Sequence, residues 1–237
     1  MHGQIPWCDI AAAYAIGVMG AAAYSDAVKR EVEPLLWLSA SKLGLSLALL
    51  CIREYVSYLG LGLFLAVYML AFSPALFVLL LYRLGYMGGA DFLALLFMAI
   101  TFPLRSGDLI PVPMLAVVYS AVPSLTHRVL LGLRVCKRHG YGVSCLVSLR
   151  LRVEARELVY SSKKSWWLVT DRRLEGQAML MEPHEAAVRV AGSRLEDRIE
   201  ATPGLPYVTH LALGLVMAAI LGDDPIVSLL SIFGSGS

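Results

Sequence analysis

The sequence predicts an α-helical membrane protein of six transmembrane helices, with a small, mostly-β cytoplasmic domain between the fifth and the sixth. Three observations lead there. Of 237 residues, 58% are hydrophobic and only 16% charged, where a soluble domain carries about a quarter charged residues; mean hydropathy is +0.68. Apolar runs of near-spanning length recur along the whole chain. The basic residues are unevenly placed, 13 of the 20 Lys and Arg falling between Arg134 and Pro203.

The first span is read at about Ile5–Ser25. Small residues in "GVMGAAAYS" imitate a signal-peptide cleavage site, but no Lys or Arg precedes Lys29, so the basic start of a secretory signal is missing and the run is read as retained. The second span is about Leu35–Ile52. The third, Leu59–Arg83, contains Pro74, which removes a backbone hydrogen bond and predicts a kink. The fourth runs from near Met87 to near Leu104, and the fifth, about Leu109–Leu133, carries Pro111, Pro113 and Pro123. The sixth is about Pro206–Leu221, after which "GDDP" breaks the run before "IVSLLSIF". Residues 1–133 thus form the membrane domain with spans one to five, 134–203 a soluble domain, and 204–237 the last span and tail.

In the soluble stretch, "VSLRLRVEAREL" alternates Leu149, Leu151, Val153 and Ala155 with charged neighbours, the period of a strand. "SWWLVT", "QAMLM" and "AAVRVAG" are further short strand candidates, and together they predict a small antiparallel sheet. Its basic excess, with Lys29–Arg30 after the first span, favours the cytoplasmic side. Six crossings then put both termini outside and place Asp26, closing the first span, on the same membrane face as Asp91, opening the fourth.

Carboxylates at membrane depth are expensive unless a partner or wet cavity receives them, and they mark function. If the fourth helix starts near Met87, Asp91 lies about one turn inside, with Gly88 and Gly89 permitting close backbone approach. Two carboxylates brought together share a proton. The ionised one can then take a proton from water while the neutral one polarises a scissile carbonyl. That chemistry is aspartic-protease chemistry and needs no cofactor. Each acid taken singly also fits a solvated helix end or a favourable place in the helix dipole.

At these stretches the sequence resembles the archaeal preflagellin and type IV prepilin peptidases, of the GxGD class of membrane aspartic proteases. "SDAVKREVEPLLW" is similar to the family's first aspartate with its basic-Glu loop and Trp, "GGAD" to its second motif, and "TPGLPYVTHLALGLVMAAILGD" to its final span. The resemblance implies that Asp26 and Asp91 are the catalytic aspartates, supported by Gly88, Gly89 and Ala90. It implies that the chain removes short basic leaders from archaellin or pilin precursors on the cytoplasmic side of the cell membrane. Ala90 stands where the motif has its second glycine, and Phe92 and Leu93 where a lysine often follows. Bacterial relatives add a cysteine-rich insert and N-methyl transfer; the scattered cysteines here imply the shorter archaeal type, without methylation. Ser25 before Asp26, rather than a tyrosine within a span, sets the chain apart from the presenilin branch.

Glu31 and Glu33 stand near Asp26 and either attract a basic leader or belong to an ordinary solvated loop beside Lys29 and Arg30. His127 and Arg128 read as snorkelling groups. Lys42, well inside an apolar run, is either a counter-charge to the acids or reaches sideways to water. Cys8, Cys51, Cys136 and Cys145 show no paired spacing, which argues against a zinc site and against a disulfide framework. His184 and His210 have no ligand-spaced partners, so no metal is expected. "SSKKSWWL" suits either lipid head groups or the interior of a small sheet. "GLGLF" and "GYMGG" lack the strand–turn–helix setting of nucleotide sites, and a net charge of +2 does not argue for nucleic acid. Expected partners are therefore precursor leader peptides and the bilayer. Two other functions compete: a proton-coupled transporter using Asp26 and Asp91 as relay carboxylates, and a scaffold whose basic insert docks a partner.

Overall fold

The computed structural model of the protein describes residues 7–29, 32–84, 87–105, 107–138, 151–154, 166–172, 177–181, 198–203 and 205–234. The predicted apolar runs become helices, with informative shifts at their ends. α1 (Trp7–Lys29) carries the first run one turn past Ser25, so Asp26 lies inside the helix. α2 (Pro34–Leu59) starts at a proline, suited to a position whose N–H has no helical partner, and ends at Gly60, whose φ of 75° is open to glycine without a Cβ penalty. Pro74 does more than kink the third run. It opens a second helix, α4 (Ser73–Arg83), separated from α3 (Leu61–Ala71) at Phe72. α5 (Gly89–Thr101) begins later than expected, α6 (Val112–Arg138) runs on beyond the predicted span with Pro123 inside it, and α7 (Tyr207–Leu221) matches the last span. "IVSLLSIF" forms its own helix, α8 (Asp224–Gly234).

Four stretches among the described residues are long and apolar enough to cross a membrane: α1, α2, α3 with α4, and α6. Their outward faces are leucine-rich and exposed, as at Leu35, Leu49, Met69, Leu76, Leu125 and Leu130, which suits a lipid solvent. The chain is thus a helical membrane protein. α5 and α7 are apolar but shorter.

The core forms around α5. It packs against α1, α2, α4, α6 and α7, and its Ala94, Leu95, Phe97, Met98 and Ala99 are fully buried. Phe97 meets Trp37 of α2 at 5.8 Å and Tyr14 of α1 at 6.2 Å between ring centroids. Close helix approach depends on small residues. A side chain at Gly44 of α2 would run into Thr101 of α5, and one at Gly214 of α7 into the α6 backbone at Ala116 and Ser120.

The end of the bundle away from Asp26 is tied together by polar contacts. Asp223 accepts the N–H groups of Leu109 and Ile110 at 2.9 and 3.3 Å, joining the α5–α6 loop to the start of α8. Asp108 takes a hydrogen bond from the Asp223 backbone and lies 3.9 Å from Arg105, and Tyr119 donates to the Gly222 carbonyl at 2.7 Å. Gly222, at φ 62°, lies directly beneath the Arg105 and Asp108 side chains. Toward the same end, Cys8 and Cys51 form a disulfide joining α1 to α2; Cys136, near the other end of α6, is disulfide-bonded too. The expectation that the cysteines form no disulfide framework is therefore corrected. The Cys8–Cys51 partners are brought together by helix packing across 43 residues, which local spacing does not encode.

Four strands are described in the insert: β1 (Leu151–Glu154), β2 (Trp166–Arg172), β3 (Gln177–Met181) and β4 (Arg198–Pro203). They pair antiparallel in the order β1-β4-β2-β3, with Leu151 opposite Ala201, Trp167 opposite Thr202 and Thr170 opposite Met179. "AAVRVAG", His184 and Cys145 lie outside the described residues, as does most of the chain between these strands.

Gly214→Ala should force α6 and α7 apart and cost roughly 1–3 kcal/mol, the usual penalty of overpacking. Gly17→Ala, with open space around it, should be neutral or slightly stabilising. Thermal melting in detergent compares the two, and equal melting temperatures would contradict the close α6–α7 contact. Burial first, and then the neighbouring Asp223 charge, push the Asp108 carboxyl above its ordinary value against the pull of Arg105. A carboxyl raised in the folded state stabilises below its unfolded pKa, and that stability is lost as pH rises through the folded value. Asp108→Asn should thus raise the melting temperature at about pH 7.5, with the gain fading toward about pH 4. A loss at the higher pH would mean that the Arg105 pair outweighs burial.

Candidate functional site

Asp26 ends a buried stripe. On α1 the buried positions are Cys8, Ala11, Ala15, Met19, Ala22 and Asp26, the three- and four-residue spacing of one helix face. The aspartate therefore continues the line of small residues that pack on the neighbouring helices. It is 9% exposed. A carboxylate in the last turn of a helix is disfavoured by that helix's own dipole. The compensation comes from another element, because the start of α7 packs against α1. The Thr209 N–H donates to Asp26 Oδ2 at 3.1 Å, and the Thr209 hydroxyl lies 3.3 Å from the same oxygen while donating to the Ala23 carbonyl at 3.0 Å.

Asp91 is the third residue of α5, on the same face as Ala94, Leu95 and Met98, and is half-buried. Its Oδ2 accepts the Gly88 N–H at 3.3 Å, one of the donors that a helix start leaves without a helical partner. Gly88 is extended, with φ −79° and ψ 151°, so its smallness rather than an unusual backbone matters here. Gly89 lies 3.4 Å, measured from the place of a Cβ, beneath the Tyr82 ring. Ala90 follows, partly buried against the core.

The two acids lie within electrostatic reach of each other. Asp91 feels the charge of Asp26, and it also acts on the Tyr207 hydroxyl, which is hydrogen-bonded to buried Ser120 of α6. Asp26 from α1, Asp91 from α5, Tyr207 and Thr209 from α7 and Ser120 from α6 therefore form one polar cluster at one end of the bundle. Beside it, His127 of α6 and His210 of α7 stand edge to face, with His127 Nδ1 3.0 Å from His210 Nε2. The pairing replaces the snorkelling read for His127, whereas Arg128 is exposed. Lys42 is exposed on α2, so it reaches outward rather than serving as a counter-charge. Glu33 precedes α2 and is exposed; Glu31 lies outside the described residues.

Thr209, Tyr207, Ser120 and the histidine pair escaped the sequence reading. Asp26 and Asp91 announced themselves as acids beside apolar runs, whereas hydroxyl residues in such runs are common and carry no cost that marks them. The nearest signal was Pro206, which fixes the start of α7 and so leaves the N–H groups of the next residues open.

A like charge within reach burdens the fold rather than supports it. Asp91→Asn should therefore leave the melting temperature at about pH 8 unchanged or raised. A drop as large as that of Gly214→Ala would make this acid structural. Compared with protein-family models, with curated proteins and with solved structures, the chain matches none.

Proposed function

We propose that the protein is a membrane aspartic endopeptidase, with Asp26 and Asp91 as its catalytic dyad, which removes basic leaders from archaellin or pilin precursors. The observation that carries the reading is that two carboxylates, distant in sequence, come within electrostatic reach of each other at one end of a lipid-facing bundle. The sequence resemblance to the GxGD peptidases supports it independently, since it singled out the same two residues.

In this reading the enclosed helices α5 and α7 complete six crossings with the four longer spans. The dyad end faces the cytoplasm together with a basic, sheet-containing insert. Disulfides do not orient the chain, because Cys8–Cys51 and Cys136 stand toward opposite ends of the helices.

The chemistry follows from a shared proton. The ionised aspartate takes a proton from water as the oxygen attacks the scissile carbonyl carbon. The protonated aspartate donates to the carbonyl oxygen, and a tetrahedral diol forms. Collapse breaks the C–N bond: the proton taken from water passes to the leaving amine, and a diol hydroxyl returns its proton to the aspartate that had protonated the carbonyl oxygen. Products are a carboxylic acid and an amine, which ionise in water, and the pair again holds one shared proton.

A purified archaellin or pilin precursor mixed with the protein in detergent should lose its leader. Asp26→Asn and Asp91→Asn, each still folded, should lower the rate by at least about 10²–10⁴, the range of general acid–base catalysis. Activity surviving either change would sink the dyad. If the wild type cleaves nothing but moves protons in vesicles, with loss in both variants, the acids serve as relay carboxylates of a transporter.

A further inference from the structure

Nothing in the pairing alone says which aspartate keeps the proton, yet the two carboxylates sit in different hydrogen-bonding surroundings. Resting on the peptidase reading, we propose that Thr209 is a positioning residue that holds Asp26 as the ionised, water-activating member of the dyad and leaves the shared proton on Asp91.

Asp26 Oδ2 has two donor groups within reach from one residue of α7, the Thr209 N–H at 3.1 Å and the hydroxyl at 3.3 Å, whose single proton is shared with the Ala23 carbonyl. That N–H belongs to the first turn of α7, where the backbone donors have no helical acceptor and the dipole favours negative charge. Among the described residues Asp91 Oδ2 accepts one N–H, from Gly88, at the longer distance of 3.3 Å. Hydrogen bonds to a charged acceptor are the stronger kind, so the carboxylate with more donors is the better place for the charge.

The threonine hydroxyl carries one proton and has two acceptors within reach, Asp26 Oδ2 and the Ala23 carbonyl at 3.0 Å. Turned to Asp26, it supports the carboxylate before water is activated. Once Asp26 has taken the proton from water, the hydroxyl turns to Ala23 and its oxygen accepts from the new carboxyl O–H. The residue follows the proton without leaving its place. Both acceptors belong to α1, so the contact also fixes α7 at the level of Asp26.

The titratable group that acts with Asp26 is Asp91 from α5; Tyr207 and His210 flank Thr209 in the same turn of α7, where Tyr207 acts with Asp91 and His210 pairs with His127 of α6. Glu33 lies just before α2, Lys42 is exposed on α2, and Lys29 ends α1 itself. None of them changes in a Thr209 variant.

The test reads carboxyl ionisation directly, by infrared titration of the protonated-carboxyl band in detergent. The Asp91→Asn background isolates Asp26, and the band that disappears in Asp26→Asn identifies it. Thr209→Val keeps the shape and the backbone N–H but removes the hydroxyl. It should move ionisation of Asp26 upward by about one pH unit, a tenfold change. Thr209→Ser should titrate with the parent. If Thr209→Val fails to fold by circular dichroism, Thr209→Ala against Thr209→Ser makes the same comparison. With Asp91 intact, the acid limb of kcat/KM for leader cleavage should move by a similar amount in Thr209→Val and return in Thr209→Ser. An unshifted band in the valine variant, or an equal shift in the serine variant, overturns the assignment even if the wild type cleaves. A shifted band in a protein that cleaves no precursor leaves the assignment standing and overturns the peptidase reading instead.

Discussion

A helix of 13 residues is about 20 Å long, and the hydrocarbon of a bilayer is about 30 Å thick. α5 therefore cannot stand alone in lipid, because its end groups would lie among acyl chains with no partner. Protein has to enclose it, and much of the architecture follows from that constraint. α1, α2, α4, α6 and α7 all reach it. Its interior face is built of residues with no exposure at all. At its C-terminal end the chain returns through a loop in which the Val112 N–H bonds the Pro103 carbonyl and Asp108 and Asp223 clamp the turn to α8. At its N-terminal end the shortfall leaves room for a polar cluster below the ends of the longer helices, and Asp91 occupies it.

The two ends of the bundle use acids in opposite ways. At the far end Asp223 is occupied by two backbone donors, and Asp108 has Arg105 beside it. Those acids bond loops and helix ends and have little left to offer a substrate. At the Asp26 end, among the described residues, the charge that acts on Asp91 is the like charge of Asp26. A like charge in that position does not stabilise a fold, so the arrangement persists because the surrounding helices are held elsewhere. The Cys8–Cys51 link, the α6–α7 contact at Gly214 and the aromatic group of Tyr14, Trp37 and Phe97 do this.

What was legible in the sequence was what one-dimensional physics enforces. Long apolar runs in low-charge sequence gave the membrane class, although among the described residues only four of the six expected spans are long enough to cross a membrane, and the cost of acids there singled out Asp26 and Asp91. Helix ends were less legible. α1 and α6 run past the expected boundaries because polar residues such as Lys29 and Arg138 are tolerated in last turns, where they complement the dipole. Pro74 marked a break, but whether it kinks or divides a helix depends on packing at Phe72. The disulfide, the histidine pair and the hold of Thr209 on Asp26 join residues far apart in the chain, and only tertiary contact creates them. Short alternating segments in the insert correspond to strands where residues are described, since a period of two survives without tertiary information.

Asp26 and Asp91 belong to α1 and α5, and within α1 alone Asp26 is a carboxylate at the wrong end of its own helix dipole. α7, which follows the insert in the chain, supplies the Thr209 N–H, the positive end of a second dipole, and the Tyr207 hydroxyl within reach of Asp91. The charge on Asp26 is therefore stabilised only when α7 is docked on α1, and by reciprocity that charge favours the docked position. Because Thr209 bonds both the Asp26 carboxylate and the Ala23 carbonyl, sliding of α7 along α1 by even one residue would break both bonds at once. The polar cluster is thus a property of the α1–α7 contact as much as of the two acids. A protein that keeps two carboxylates inside an apolar bundle gains from tying one of them to a helix–helix contact.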